Sequence, residues 1–292
     1  MVDELLSNSD VLFNNIFAFE CTLHSMPGKS HRGLTITHQD LIERTEDFVL
    51  ELRNTMSSWV YSKSKYKSII DDAMIKRGGD VQNASSFVQA LVRQKFRRGH
   101  PQGQFGELLL FNVIQRFHHA IPLLRKMPIT TNAGIERHGA DAIHYRPNGD
   151  KHLIYVGEAK TYASKYKFAT AFKDAINSIF DSYEKLSNEL GLYTYEDFIE
   201  EELREIAKGV KDNSLKNVVH ELVCVVSYEE TESKSRPTEA EIKAAMKDAV
   251  EKRMKDFDPA FFKGRCPFVL GRLHLMAVPI WGLEKLMEAF DQ

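Results

Sequence analysis

Two short stretches decide the fold: residues 139–143 (Gly-Ala-Asp-Ala-Ile) and residues 156–160 (Val-Gly-Glu-Ala-Lys). Between them lies Asn148-Gly149, and an Asn-Gly pair flanked by apolar runs is the strongest short-range signal for a β-hairpin. The sequence therefore predicts two antiparallel strands. The first strand carries an aspartate near its start, and the second ends in a Glu-x-Lys triplet.

The predicted turn fixes the register of this hairpin. With Asn148-Gly149 at the tip, Asp141 lies opposite Val156. Side chains alternate along a strand, so positions 156, 158 and 160 share one face. Asp141 falls on that face, diagonal to Glu158, with the Cβ atoms roughly 7 Å apart or somewhat less. Two carboxylates at this separation are close enough to share one cation, whereas a one-residue bulge would separate them.

These residue types are suited to metal-dependent cleavage of a phosphodiester. Mg²⁺ prefers carboxylate oxygens and usually keeps several waters. Held by Asp141 and Glu158, Mg²⁺ or Mn²⁺ would polarise the scissile phosphate and lower the pKa of a bound water. Lys160 would orient or help deprotonate that water and offset the charge that grows on the phosphoryl oxygens. The same residues also fit a structural role, in which Asp141 caps a turn and Glu158 pairs with Lys160.

A further acidic candidate, Glu107, lies upstream on a predicted buried helix over residues 103–117. Apolar residues follow it three, four and seven positions later, so it lies on an apolar stripe of that helix. A carboxylate buried alone is costly. We therefore expect a metal, a metal-bound water or Lys160 as its partner.

Basic residues flank these candidates on both sides in sequence. We predict phosphate contacts from them, with a solvated helix end as the alternative. A helix that has already begun at residue 165 would place positions 165 and 167 about 200° apart, so both could not face one groove. The residues are Arg93, Lys95, Arg97 and Arg98, and Lys165 and Lys167.

A helical glutamate, a strand aspartate and a Glu-x-Lys triplet, in this order, resemble the motif of the PD-(D/E)xK nuclease superfamily. Ala140 stands where the motif has its proline. The resemblance implies a mixed α/β fold with a restriction-endonuclease-like αβββαβ core, in which helices flank a mixed sheet. It implies catalytic roles for Glu107, Asp141, Glu158 and Lys160, with the Asp141 and Glu158 carboxylates as metal ligands.

Within that superfamily, the chain is most similar to the HamA family, the nuclease subunits of bacterial Hachiman anti-phage systems. The similarity rests on the helix over residues 103–114, on residues 139–141 and 157–160, on chain size, and on a long, helical and charged second half. It implies a superfamily 2 helicase partner, HamB. It also implies DNA degradation when the complex senses infection or DNA damage.

Composition indicates a soluble globular protein. The 292 residues are 43% hydrophobic and 27% charged. We predict a mainly helical N-terminal part over residues 1–100, packed on a nuclease domain with helical insertions over residues 101–292. An acidic N-terminus without a signal-peptide pattern, three scattered cysteines, and no apolar run near the roughly 20 residues of a membrane span predict a cytoplasmic protein without a membrane segment.

The formal net charge is −2, whereas a stand-alone nucleic-acid binder is usually strongly basic. This balance favours local basic patches, or a partner that supplies much of the DNA affinity. Two other functions stay open. One is an RNase or structure-specific nuclease with the same metal site, and the other is a non-catalytic nucleic-acid or partner-binding module on a decayed nuclease fold.

Overall fold

The computed structural model describes residues 3–21, 28–96, 99, 101–125, 139–164, 168–192, 199–255 and 258–292. Within these residues, seven strands form one mixed sheet and two more form a separate short hairpin. The sheet strands are β1 (Ile16–Cys21), β2 (Ser30–Ile36), β5 (Ile121–Leu124), β6 (Ala142–Asn148), β7 (Lys151–Tyr162), β8 (Val218–Glu229) and β9 (Leu273–Ile280), and the hairpin strands are β3 (His38–Gln39) and β4 (Ile42–Glu43).

Helices cover both faces of the sheet. The two that pack directly on the middle of β7 lie before and after it in sequence. The helices are α1 (Asp10–Asn14), α2 (Thr45–Asn54), α3 (Met56–Val60), α4 (Lys63–Lys76), α5 (Val81–Arg93), α6 (Pro101–His118), α7 (Phe168–Leu192), α8 (Arg204–Lys211), α9 (Glu239–Lys255), α10 (Pro267–Leu270) and α11 (Leu283–Asp291). None of the helices in the described segments is long and apolar enough to cross a lipid bilayer.

The strand order across the sheet is β1-β2-β9-β8-β7-β6-β5. Strands β2, β9, β8 and β7 run parallel to their neighbours in that series, whereas β1 and the β6-β5 pair are antiparallel additions at the two edges. The elements α6, β5, β6, β7, α7 and β8 occur in the helix–three strands–helix–strand order that the resemblance implied, with the short helix α8 inserted between α7 and β8. The predicted mixed α/β fold, with a mixed sheet flanked by helices, is confirmed.

Strand β7 is buried on both faces. Tyr155 belongs to the core cluster that contains the apolar side of α6, whereas its neighbour Val156 belongs to the cluster with α7. All side chains over residues 153–158 are buried as a result. This two-sided burial is typical of strands with parallel neighbours, and it explains why the strand is apolar without alternation until its charged end.

The turn between β6 and β7 differs from the prediction. Asn148 pairs with Lys151, so Gly149 and Asp150 form the turn. Of these two residues only Gly149 has a positive φ, +62°. A positive φ at the first central position alone is the pattern of a type II′ turn, for which glycine is favoured. The predicted Asn148-Gly149 turn is therefore wrong by one position.

This error shifts the register by two residues and leaves the face unchanged. Ala142 pairs with Gly157, and Asp141 lies just before this first paired residue, with its N–H on the carbonyl of Gly157 and not opposite Val156 as predicted. Because side chains repeat every two residues, a shift of two keeps both carboxylates on one face of the sheet.

The N-terminal region contributes strands as well as helices. Strands β1 and β2 lie in the same sheet as β7, and β2 pairs with the C-terminal strand β9. The intervening helices include α4 and α5, which pack on each other around a small cluster of their own. The predicted division of the chain at residue 100 stays a prediction.

Candidate active site

Asp141 lies immediately before β6, at the edge of the ladder with β7. Its backbone N–H donates to the carbonyl of Gly157 at 2.9 Å, and its Oδ2 accepts from the backbone N–H of Ala159 at 2.8 Å. The aspartate is therefore positioned by the backbone of β7. The side chain is half-buried.

Glu158 directly precedes Ala159, whose N–H binds Asp141, and only 3% of the Glu158 side chain is exposed. Its Oε1 accepts from Ser178 Oγ at 2.7 Å and pairs with Lys160 Nζ at 2.9 Å. Its Oε2 is fully buried and has no hydrogen-bond partner among the described residues. A buried carboxylate oxygen without a partner is costly, so this atom is suited to a ligand that the protein itself does not supply.

Lys160 provides the positive charge of the site, and 31% of its side chain is exposed. Burial alone would lower the pKa of this ammonium group. The charge of Glu158, the hydrogen bond with it and the charge of Asp141 act in the opposite direction and raise the pKa above its ordinary value. Lys160 is therefore protonated at neutral pH and acts as a fixed cation and hydrogen-bond donor.

The donor set fits a hard divalent cation such as Mg²⁺ or Mn²⁺. Mg²⁺ is usually held by one or two carboxylates, with waters and substrate phosphate oxygens as its remaining ligands. Asp141 and Glu158 would supply two carboxylates to such an ion, and the unpartnered Oε2 of Glu158 would be one ligand atom. Within the described ranges, no group of three or more His, Cys, Asp or Glu side chains could hold a metal ion.

Helix α6 runs antiparallel to β7 and packs closely on it. A Cβ built on Gly157 would lie 2.9 Å from Ile114, and one built on Gly106 would lie 2.8 Å from Thr161 Oγ1. Glycine at these positions lets the helix approach the strand. The start of α6 therefore lies beside the carboxyl end of β7, where the candidate site is.

Glu107 follows Gly106 and so lies at this same end of the strand. Helix α6, however, covers the face of the sheet opposite to the one that carries Glu158 and Asp141. Glu107 is half-buried and does not join these two carboxylates in a metal-binding group of three. Its predicted catalytic role stays a prediction.

Helix α7 supplies two contacts that the sequence did not single out. Ser178 binds Glu158, and Asp174 accepts from the hydroxyl of Tyr162 at 2.6 Å. This hydrogen bond, with burial and the charge of Asp174, raises the pKa of Tyr162. Ser178 follows Ala171 and Ala175 at helical spacing. A polar residue on an otherwise apolar stripe of a helix is the sequence pattern by which Ser178 could have been identified.

The predicted phosphate-contact residues are only partly described. Arg93 is exposed in the last turn of α5, and Lys95, just beyond it, is half-buried. Arg93 lies close enough to Arg53 for its charge to lower the pKa of that guanidinium, together with burial. The remaining predicted residues, which lie outside the described part of the chain, are Arg97, Arg98, Lys165 and Lys167.

Two histidines near the site elements are packed in the core. His144 lies on the α6 face, where its Nδ1 is 3.0 Å from the carbonyl of Ala120 and its ring contacts Phe111. Burial lowers its pKa to about 3. His118, at the end of α6, packs on His274, and burial lowers its pKa to about 2. Both rings are neutral at physiological pH.

The fold and the site together define a mixed α/β protein with two carboxylates and a lysine at the end of a central strand. The sequence model of the HamA family matches residues 10–292. This match spans nearly the whole chain, so the chain belongs to the HamA family, a component of the Hachiman defence systems. The predicted family resemblance is confirmed. A search of curated protein sequences finds no match.

Proposed function

We propose that this chain is a metal-dependent deoxyribonuclease, the effector subunit of an anti-phage complex with a helicase. One observation carries the proposal. Asp141, Glu158 and Lys160 converge on one face at the carboxyl end of a buried strand, and Glu158 Oε2 is buried there without a hydrogen-bond partner. Membership of the HamA family supports the setting of anti-phage defence.

Asp141 and Glu158 would hold the divalent cation. When bound, a Mg²⁺ or Mn²⁺ ion polarises the phosphate and lowers the pKa of a coordinated water. Ser178 holds one oxygen of Glu158, and the backbone of Ala159 holds one oxygen of Asp141, so both carboxylates are fixed before substrate binds. Such preorganisation reduces the rearrangement needed during the reaction.

Lys160 would act as an electrostatic group. Its ammonium group lies 2.9 Å from the Glu158 carboxylate, which places a positive charge at the site. An ammonium group beside the scissile phosphate orients the attacking water and stabilises negative charge on the phosphoryl oxygens.

The partner would be a superfamily 2 helicase of the HamB type. The chain carries a formal net charge of −2, which is low for a protein that binds DNA by itself. A helicase that tracks along DNA would supply affinity and bring the strand to the site. The nuclease then needs only local contacts with the backbone of its substrate.

The test is a cleavage assay on the purified chain, alone and with its helicase. Plasmid, linear and single-stranded DNA, and RNA, are incubated with Mg²⁺, Mn²⁺ or EDTA. We expect metal-dependent loss of DNA that the Glu158→Ala/Lys160→Ala double variant abolishes. The matched control is Glu205→Ala/Lys208→Ala, which removes the same residue types from exposed positions on α8.

Cleavage that persists in EDTA or in the site double variant would contradict the proposal. Cleavage of RNA alone would support the alternative of an RNase with the same metal site. No cleavage of any substrate, with or without the helicase, would support a binding module on a decayed nuclease fold.

A further inference from the structure

Tyr162 is the last residue of β7 and lies two positions beyond Lys160. Side chains alternate along a strand, so Tyr162 shares the face that carries Glu158 and Lys160. The packing agrees, because Tyr162 contacts the apolar cluster that α7 forms with the sheet. Two residues of a strand span roughly 6–7 Å. Tyr162 therefore lies beside the lysine of the candidate active site, at the same end of the same strand.

The Tyr162 ring is held in place by two kinds of contact. Its hydroxyl group donates to Asp174 Oδ2, on α7, at 2.6 Å. The body of the ring packs against the apolar cluster between α7 and the sheet. Both contacts restrict the side chain before any substrate binds, and a restricted group loses less conformational entropy when a ligand is placed against it. Tyr162 is therefore a preorganised aromatic surface.

Part of the Tyr162 side chain is open to solvent. Its partner in the parallel ladder, Tyr228 on β8, is by contrast buried, with its ring 4.7 Å from that of Phe168. Of this aromatic pair at the end of β7 and β8, Tyr162 is thus the one that a ligand can reach. Exposed aromatic side chains bind nucleic-acid strands by stacking, because every nucleobase has a π-face.

Charge distinguishes the ligand that suits Tyr162 from the ligand that suits Lys160. The lysine carries a positive charge, which attracts a phosphate group. The tyrosine lies against the carboxylate of Asp174, which repels a phosphate, and its hydroxyl hydrogen is already donated to that carboxylate. The ring is therefore suited to an uncharged group. A nucleotide offers both kinds of group, a phosphate and an uncharged base, within one unit of the strand.

We propose that Tyr162 stacks on an unpaired nucleobase next to the phosphate that is cut at the Asp141–Glu158–Lys160 site, so that the substrate is single-stranded DNA. This inference rests on the proposed nuclease function and adds the substrate class to it. In a duplex each base is paired and stacked between its neighbours, and to extrude one costs free energy. A strand that is already unpaired avoids this cost, and a helicase partner would supply such a strand.

The test measures stacking separately from cleavage. A short single-stranded DNA with one central 2-aminopurine, a fluorescent base whose emission falls when it stacks, is titrated with the full chain in EDTA. The variant Tyr162→Leu removes the ring, whereas Tyr162→Phe keeps the ring and removes the hydroxyl group. The control is Tyr66→Leu, which makes the same change at a half-buried tyrosine in the separate cluster of α4 and α5.

We expect the emission to fall on binding to the unchanged chain, to Tyr162→Phe and to the control. Tyr162→Leu should lose this fall and bind the strand about tenfold more weakly, within the range measured for one base stacked on an aromatic side chain. A duplex of the same sequence should bind Tyr162→Leu as it binds the unchanged chain, because its bases do not reach the ring.

A second measurement does not depend on the folding of a variant. A single strand that carries 5-iodouracil is irradiated in complex with the unchanged chain, again in EDTA, and the crosslinked peptide is identified by mass spectrometry. The photoreaction joins this base to an aromatic side chain in contact with it. We therefore expect the crosslink at Tyr162.

Stacking on Tyr162 would be overturned by emission that does not fall with the unchanged chain, by an equal fall with Tyr162→Leu, or by crosslinks only at other residues. Loss of the fall in Tyr162→Phe would assign the contact to the hydroxyl group and overturn it too. A loss of duplex binding in Tyr162→Leu equal to that of the single strand would overturn the substrate class. Stacking without cleavage in the nuclease assay would leave a strand-binding site and remove the nuclease, whereas cleavage without stacking would remove only this inference.

Discussion

The substitution Asp141→Asn tests the proposed metal site while it leaves the shape of the side chain nearly unchanged. Asp141→Asn keeps a carbonyl oxygen that can accept from the Ala159 N–H, a bond of 2.8 Å in the present structure. It removes the negative charge that would bind the cation. The substitution therefore separates the predicted role as a metal ligand from a role in holding the hairpin.

The expected change in the free energy of unfolding without metal follows from the positions of the charges around residue 141. Asp141 binds the N–H of Ala159, the residue after Glu158, so we take the two carboxylates to be about 5 Å apart, the spacing of neighbouring side chains on adjacent strands. At such a distance and an effective dielectric constant of 20–40, repulsion between the Asp141 and Glu158 carboxylates is about 1.5–3 kcal/mol. Attraction between Asp141 and Lys160 is of opposite sign and similar size. The free energy of unfolding without metal should thus change by less than about 1 kcal/mol on substitution.

When a divalent cation is added, it should stabilise the unchanged protein more than the Asp141→Asn variant. At ten times its Kd, the cation stabilises the unchanged protein by about 1.4 kcal/mol, and a variant that binds tenfold more weakly gains about 0.4 kcal/mol. These values correspond to a rise in Tm of about 2–4 °C and of about 1 °C. Thermal unfolding in EDTA and in Mg²⁺ or Mn²⁺, together with the DNA cleavage assay, measures all of these quantities.

The reasoning would be refuted by either of two results. An equal gain from the cation in Asp141→Asn would show that this carboxylate is not a ligand. A loss of several kcal/mol in EDTA would show that its charge is structural. Loss of cleavage with unchanged metal-free stability is the expected outcome.

Three further substitutions and conditions test other parts of the structure. Lys160→Met leaves the buried Glu158 carboxylate without its ion-pair partner, so unfolding free energy should fall by about 1–3 kcal/mol, and the double variant with Glu158→Gln should recover most of it in urea melts. Burial lowers the pKa of His118 to about 2 and that of His144 to about 3, below the value near 6.5 of an unfolded chain. The unfolded state then binds more protons, so stability is complete above about pH 6.5 and should fall by about 2 kcal/mol per ring between pH 7 and pH 5; a flat profile would contradict neutral burial. Gly157→Ala places a methyl group 2.9 Å from a side chain of α6. The free energy of unfolding, measured in denaturant melts, should fall by about 1–3 kcal/mol. An unchanged value would show that α6 can move away from β7 without an energetic cost.

The central hairpin and its charged face were accessible from sequence because both depend on local periodicity. Asp141 and Glu158 keep their common face under a register shift of two residues, so the prediction tolerated an error at the turn. The turn itself was mispredicted because Gly149 serves equally well at the first or second central position of a two-residue loop. Sequence alone does not distinguish these positions.

The relative positions of residues far apart in the chain could not be predicted from the sequence. Helical spacing put Glu107 on an apolar stripe correctly, yet the face of the sheet that α6 covers depends on the whole topology. Ser178 carried a weak signal, a polar residue on a buried helical stripe.

The pairing of β2 with β9 has a consequence for synthesis of the chain. One edge of β2 pairs with the preceding strand β1, whereas the other edge pairs, at residues 30–33, with residues 274–277 near the other end of the sequence. Strand β2 is synthesised early, but it can pair with β9 only after almost the whole chain has been translated. Contacts of such long sequence separation form slowly, so β1 and β2 keep an unsatisfied edge through most of translation. We therefore expect chaperone binding and incorrect strand pairing of the nascent chain to occur mainly at β1 and β2.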